Sequence, residues 1–237
     1  MNFEIKNSIV KIVTIMYFLN AVIEILAETF SLKIIILITK PLIPLLLMIL
    51  YYYSSTKNNK LFYAVLFLSL VTNLFYIPNS KEFLFYGLIA YTVHWILLLI
   101  LIFKIVRIKN FVPFFLSTLP LGFIFFFLIT SSDIPENSYY LIILQCIMAA
   151  VLGGIAIASY SLNDSKQNSL LLISIILFLG LQLVVYIEKY FLAELNSFCL
   201  RPLAMTLNVC AFYIFYKFVI ASEKEKKKKL NNNRFTL

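Results

Sequence analysis

Five polar residues stand inside otherwise apolar stretches of the chain: Glu24, Lys40, Asn73, His94 and Gln182. A carboxyl group or an imidazole can exchange a proton, and a lysine ammonium can hold a phosphate. Ionisable groups in a hydrocarbon layer are unstable unless they are paired or hydrated, so those that remain there are the first candidates for function. These residues form the candidate site.

The composition indicates that these polar residues lie within a lipid bilayer. Apolar and aromatic residues make up 62% of the 237 residues. Only 13% are charged, against about a quarter in soluble globular proteins. A soluble domain needs more charge than this to cover its surface, and the 23 Phe and 15 Tyr with only 5 Gly argue against disorder. The sequence therefore predicts an integral membrane protein.

The apolar residues fall into segments of the length that a membrane helix needs, about 20 residues for a hydrocarbon core about 30 Å thick. About eight such spans fit. They are Ser8 to Glu28, Lys33 to Tyr53, Lys60 to Pro78, Phe83 to Lys104, Asn110 to Ser131, Tyr139 to Tyr160, Ser169 to Lys189 and Phe198 to Ile220. We predict an all-α polytopic transmembrane bundle over residues 1–222 and a Lys-rich cytoplasmic tail over residues 223–237.

The basic residues predict the orientation of the bundle, because Lys and Arg resist translocation. With eight spans, only five of the 20 Lys and Arg fall on one side of the membrane, namely Lys33, Lys40, Lys81, Lys189 and Arg201. Both termini are therefore expected to be cytoplasmic. The net charge of +9 is then mostly a topology signal, so we expect no nucleic-acid partner.

Two prolines in the second span, and the similar depth of four polar residues in the membrane, single out one region of the predicted bundle. Pro44 cannot donate to the carbonyl of Lys40, and Pro41 likewise leaves a carbonyl free, so a lysine lies beside unbonded acceptors in a kinked helix. Glu24, Lys40, Asn73 and Gln182 all lie about 7 to 10 Å below the non-cytoplasmic interface at 1.5 Å per residue. With His94, they are expected to line one cavity.

Each candidate also has a structural interpretation. Asn73 and Gln182 could be interhelical hydrogen-bonding groups, His94 a structural histidine, and Lys40 with Glu24 a buried ion pair. The Gln145, Ala149, Gly153 and Ala156 face of the sixth helix indicates packing. The three cysteines, Cys146, Cys199 and Cys210, form no CxxC pair, so neither a zinc site nor a cofactor is expected.

Three short segments resemble the lysoplasmalogenase family, the YhhN-like integral membrane proteins of about eight helices. Thr39-Lys40-Pro41-Leu42 is similar to the Lys-Pro-Leu element of the family's second helix. The segment from Phe85 to His94 is similar to its fourth-helix phrase of Gly, aromatic and His. The segment from Tyr213 to Ser222 resembles its closing helix, with Lys217 where glutamine is usual.

The resemblance implies a hydrolase that cleaves the alkenyl ether of a lysophospholipid to an aldehyde and a glycerophospho headgroup. The family's catalytic carboxylates, a Gly-Asp pair and a Ser-Asp pair, correspond to Asn73 and Gln182. Glu24 or His94 would then have to donate the proton, and Lys40 and Tyr213 would bind substrate. The expected ligands are membrane lipids, and the expected location is a bacterial cytoplasmic (inner) membrane.

Two other functions are compatible with the same residues. Amides at positions 73 and 182 provide neither a usable proton nor a negative charge, so the protein could be a catalytically silent lipid-binding or structural protein. A small transporter is the third alternative, although the halves share no repeat beyond Lys40-Pro41-Leu42 and Arg201-Pro202-Leu203.

Overall fold

The computed structural model describes residues 3–78, 80–108, 110–192 and 199–234, with side chains as far as Lys226. The predicted all-α bundle is confirmed over these residues, which form eight helices and no strand. The helices are α1 (Phe3–Thr29), α2 (Lys33–Ser54), α3 (Lys60–Tyr76), α4 (Lys81–Ile105), α5 (Phe111–Thr130), α6 (Glu136–Leu162), α7 (Lys166–Tyr190) and α8 (Leu200–Arg234). Phe198, the predicted start of the last span, lies outside the described residues.

Within this part of the chain, seven helices are long and apolar enough to cross a membrane. The eighth, α3, is a shorter apolar helix of 17 residues, which covers about 25 Å at 1.5 Å per residue. The chain is therefore a multi-pass integral membrane protein. Asn59, Ser80, Asn110 and Ser165 each cap the following helix with a side-chain oxygen.

Successive helices pack as neighbours except α4 and α5, and contacts of α1 with α8 and of α4 with α6 draw the chain into a bundle. Helix α5 lies at its edge and packs mainly on α6, and Tyr186 of α7 donates to its Leu128 carbonyl at 3.3 Å. The contact is close because two adjacent glycines of α6, Gly153 and Gly154, meet Leu121 and Thr118 with no side chain between them. The predicted packing role of the small-residue face of α6 is confirmed.

Helix α8 runs without a break through the predicted boundary between bundle and tail. Glu223, just past that boundary, is buried at the opposite side of the bundle from the end of α7. Its carboxylate accepts hydrogen bonds from Tyr51 Oη at 2.5 Å, from Ser55 Oγ at 2.8 Å and from the Thr56 amide at 3.0 Å. The start of the predicted tail therefore anchors the α2–α3 connection.

Candidate functional site

A cavity of about 710 Å³ lies where α1, α3 and α7 end and where α2, α4 and α8 begin. Its volume is in the range of small-molecule sites, about 300 to 1,000 Å³. With eight crossings, this end of the bundle is the predicted non-cytoplasmic side. Residues of α2, α3, α4, α7 and α8 form most of its lining.

Six charged side chains line the cavity near the helix ends, and we refer to them as the charged rim. They are Glu28, Lys33, Lys40, Glu188, Lys189 and Arg201. Four of the five basic residues that the sequence places on this side of the membrane therefore meet at one cavity. Lys81 is the exception.

Below the rim, the lining becomes uncharged and then aromatic. Ser69, Thr72, Asn73 and Asn208 contribute polar groups partway down. Four rings, which we call the aromatic floor, lie deepest: Tyr91, His94, Phe178 and Phe212. Phe178 is 12 residues before the end of α7 and Phe212 is 12 residues after the start of α8, about 18 Å at the helical rise.

Lys40 makes an ion pair with Glu28, Nζ to Oε1 at 2.7 Å, in which both side chains are largely buried. The predicted buried ion pair of Lys40 therefore exists, but its partner is Glu28 and not Glu24. Glu24 and Glu28 share one face of α1, and Lys40 lies beside the carboxylate nearer the helix end. This pairing neutralises a lysine that the sequence offered as a phosphate ligand.

Glu24 is fully buried behind the cavity, whose lining does not include it. Its Oε2 accepts from Thr39 Oγ1, and its Oε1 has no hydrogen-bond partner among the described residues. Asn20, one turn earlier, donates to the Thr39 carbonyl at 2.9 Å. Glu24 thus lies in the α1–α2 interface, where a substrate in the cavity does not reach it.

Asn73 lines the cavity and donates from Nδ2 to the carbonyl of Lys40 at 3.2 Å. This is the carbonyl that Pro44 leaves without its helical donor. Asn73 therefore supplies the hydrogen bond that α2 lacks at Pro44, and its amide nitrogen faces an acceptor that a carboxylate would repel.

His94 lies in the aromatic floor with 2% of its surface exposed. Its Nδ1 is 3.0 Å from the carbonyl oxygen of Val65. A carbonyl only accepts, so Nδ1 carries the hydrogen and Nε2 of the neutral ring is an acceptor. The ring also stacks on Tyr91, with centroids 5.9 Å apart. These contacts position His94 at the bottom of the cavity without another titratable partner in the described hydrogen bonds.

Gln182 and Tyr213 lie outside the cavity lining. The Gln182 amide donates to Gln145 Oε1 at 3.3 Å, and Gln145 donates to Thr92 Oγ1 at 2.8 Å, so these groups link α7, α6 and α4. Tyr213 stacks on Tyr17 of α1. The prediction of one shared cavity is therefore wrong for Gln182 and Glu24, and it holds for Lys40, Asn73 and His94.

Sequence reasoning did not propose Glu28, Lys33, Glu188, Lys189 or Arg201 as site residues. All five lie at helix ends, where charged residues are usually topology signals or interfacial anchors. A signal was nevertheless present, because basic residues are rare on the predicted non-cytoplasmic side and four of them line this cavity. The sequence alone does not show that the ends of α2, α7 and α8 adjoin.

The described residues contain no group of three His, Cys, Asp or Glu arranged to hold a metal ion. Comparison of the chain with protein-family models, with curated proteins and with solved structures gave no match. Membership of the lysoplasmalogenase family therefore stays a prediction from the three short segments quoted above.

Proposed function

We propose that this membrane protein binds a single-chain phospholipid, a lysophospholipid-like amphiphile, in the cavity between α2, α3, α4, α7 and α8. The observation that carries the proposal is the order of the lining groups. Charges lie at the helix ends, uncharged polar groups below them, and aromatic rings about 18 Å inside. A phosphate headgroup and an apolar chain have the same order of polarity.

The geometry favours binding over alkenyl-ether hydrolysis. That reaction starts with proton transfer to the outer vinyl carbon, and water then captures the oxocarbenium ion and the hemiacetal collapses to aldehyde and alcohol. A positioned proton donor and a nearby negative charge lower its barrier. Asn73 instead bonds a backbone carbonyl, and Gln182 and Glu24 lie outside the cavity lining. We therefore assign the protein a binding role, with the cytoplasmic membrane of a bacterium as its proposed location.

Ligand binding can be tested on the purified full chain in a non-ionic detergent with a lysophospholipid of defined chain length. Met205 lines the cavity, whereas Leu203 on the same helix is 45% exposed and does not. Met205→Trp should weaken lysophospholipid binding about tenfold or more, because the indole fills part of the cavity, and Leu203→Trp should leave it unchanged. Absence of binding by the unaltered chain, or equal effects of the two variants, would overturn the proposal.

The catalytic part of the proposal needs a separate assay. Release of aldehyde from an alkenyl lysophospholipid should be absent or very slow, since each missing acid or base group removes roughly 10² to 10⁴ in rate. Robust turnover that is lost in His94→Gln would instead establish a hydrolase that uses a different proton donor from the family's carboxylates.

A further inference from the structure

We propose that the charged rim selects amphiphiles whose headgroup carries a net negative charge, and that Lys189 makes the central contact with the phosphate. The inference rests on the proposed function and specifies its ligand class. It follows from how the rim charges are paired.

The rim has an excess of positive charge. It contains four basic and two acidic side chains. Both carboxylates are engaged within the rim, Glu28 by Lys40 at 2.7 Å and Glu188 by Arg201 at 2.8 Å. Among the described residues, Lys33 and Lys189 take part in no ion pair. Two positive charges therefore face the cavity without a counter-charge of their own.

Lys189 is the more central of these two lysines. Its Nζ lies 4.7 Å from the ring centroid of Tyr76, which is also a lining residue. The contact joins α7 to α3 across the cavity. A phosphate in the rim would meet Lys189 as a cation that no carboxylate in the described ion pairs compensates.

The positions of two other rim cations increase the positive potential. Lys33 is the first residue of α2, and Arg201 lies in the first turn of α8. The positive end of a helix dipole disfavours a cation there and favours an anion. The positive helix ends at Lys33 and Arg201 therefore add to the preference of the rim for a negatively charged headgroup.

The same pairing argues against a zwitterionic headgroup. A choline or ethanolamine headgroup brings a positive charge next to its phosphate, and that charge is favourable only beside a carboxylate or an aromatic face. Glu28 and Glu188 already hold Lys40 and Arg201. A zwitterion would have to break an ion pair or leave its ammonium beside Lys189, whereas an anionic headgroup needs neither.

The test compares lysophosphatidic acid, lysophosphatidylglycerol and lysophosphatidylcholine with the same acyl chain, bound to the full chain in non-ionic detergent. Both anionic lipids should bind about tenfold tighter than the choline lipid, and the difference should shrink as salt screens the rim. Free glycerol 3-phosphate serves as a further arm and should bind weakly, because it lacks the chain that reaches the aromatic floor.

Three variants localise the effect. Lys189→Gln should remove about tenfold of the affinity for the anionic lipids and little of that for lysophosphatidylcholine, while Lys189→Arg should retain the preference. Lys81→Gln is the matched control, because it removes the same charge at the same end of the bundle from a residue outside the cavity lining. Lys189 is exposed, so its replacement leaves the packed core intact.

The outcomes separate this inference from the proposed function. Equal binding of all three lysolipids, or an equal loss in Lys189→Gln and Lys81→Gln, would overturn the inference and leave lysophospholipid binding in place. Failure of every lysolipid to bind would overturn both. If glycerol 3-phosphate binds as tightly as lysophosphatidic acid, the proposal of an amphiphilic ligand is overturned, and the cavity is an anion site alone.

Discussion

Lys40 links three helices through two different parts of the residue. Its ammonium bonds Glu28 of α1, and its carbonyl accepts from Asn73 of α3. The side chain is 12% exposed, so most of its charge is removed from water and depends on the carboxylate for compensation. Lys40 is thus held at the wall of the cavity as part of the scaffold, with its charge already neutralised.

Glu28→Gln should therefore lower the stability of the bundle more than Glu24→Gln does. Loss of Glu28 leaves a largely buried, uncompensated ammonium, at a cost of about 3 kcal/mol. At position 24, glutamine keeps an oxygen that can accept from Thr39, so the loss there should be small. Thermal unfolding in detergent, followed by circular dichroism, measures both variants.

The double variant Glu28→Gln with Lys40→Met provides the control for this prediction. Replacing the lysine removes the unpaired charge, so the double variant should be more stable than Glu28→Gln alone. A strictly additive loss would show that the two side chains do not interact, and equal losses at positions 24 and 28 would contradict the assigned pair.

At the scale of single helices, the backbone hydrogen bonding of α2 around its prolines depends on a residue of α3. Pro41 and Pro44 both lie inside α2, yet the helix continues from Lys33 to Ser54. Asn73 supplies the hydrogen bond that Pro44 cannot make. The proline and the asparagine are therefore expected to be coupled energetically, although they are on different helices.

A double-mutant cycle tests this coupling. Asn73→Leu should destabilise the protein by about 1 to 3 kcal/mol, because it leaves the Lys40 carbonyl without a donor. In a Pro44→Ala background the alanine N–H can bond that carbonyl, so the same change should cost less. Denaturation in mixed micelles gives the four free energies, and identical costs in both backgrounds would refute the coupling.

The contact between α5 and α6 provides a second prediction at this scale, because a side chain has space at Gly122 of α5 but not at Gly154 of α6. A Cβ atom at Gly154 would collide with Thr118, whereas a Cβ at Gly122 would meet nothing within 4 Å. Gly154→Leu should push α5 from α6 and destabilise the bundle by more than about 2 kcal/mol. Gly122→Leu should be neutral or stabilising, since leucine favours helix by about 1 kcal/mol over glycine. Comparable melting temperatures for the two variants would contradict this packing.

For the whole molecule, the rare basic residues of the predicted non-cytoplasmic side are concentrated at the cavity. The positive-inside rule explains the excess of Lys and Arg at the other side but provides no reason for this cluster. The proposed ligand binding provides one, because Lys33, Lys40, Lys189 and Arg201 lie around a single space. Orientation and function are therefore linked: the cavity faces the non-cytoplasmic side if both termini are cytoplasmic.

Reporter fusions test the orientation. A fusion at the C-terminus should report the cytoplasm, and one inserted at Ile134, between α5 and α6, should report the opposite side. A cysteine introduced at Lys33 should react with an impermeant maleimide from the same side as the Ile134 fusion. Matching signals from the two fusions would exclude the eight-crossing topology.

The positions of the spans follow from the sequence because hydropathy is a property of consecutive residues. The predicted spans agree with the helices to within three residues, except at the start of α1, which begins five residues earlier at Phe3, and at the end of α8, which continues as polar helix. The need for a donor at the Lys40 carbonyl also follows locally, since proline lacks an N–H. The sequence also predicted correctly that Lys40, Asn73 and His94 line a cavity.

The partners of the buried groups depend on how far neighbouring helices are displaced and rotated relative to one another. Glu24 and Glu28 share a face, and an axial displacement of about 6 Å changes which of them meets Lys40. Gln182 likewise faces Gln145 while the adjacent Leu181 lines the cavity. The clustering of Lys189 and Arg201 requires the ends of α7 and α8 to meet α2 and α3. These relations arise from packing between segments distant in sequence, which local hydropathy does not encode.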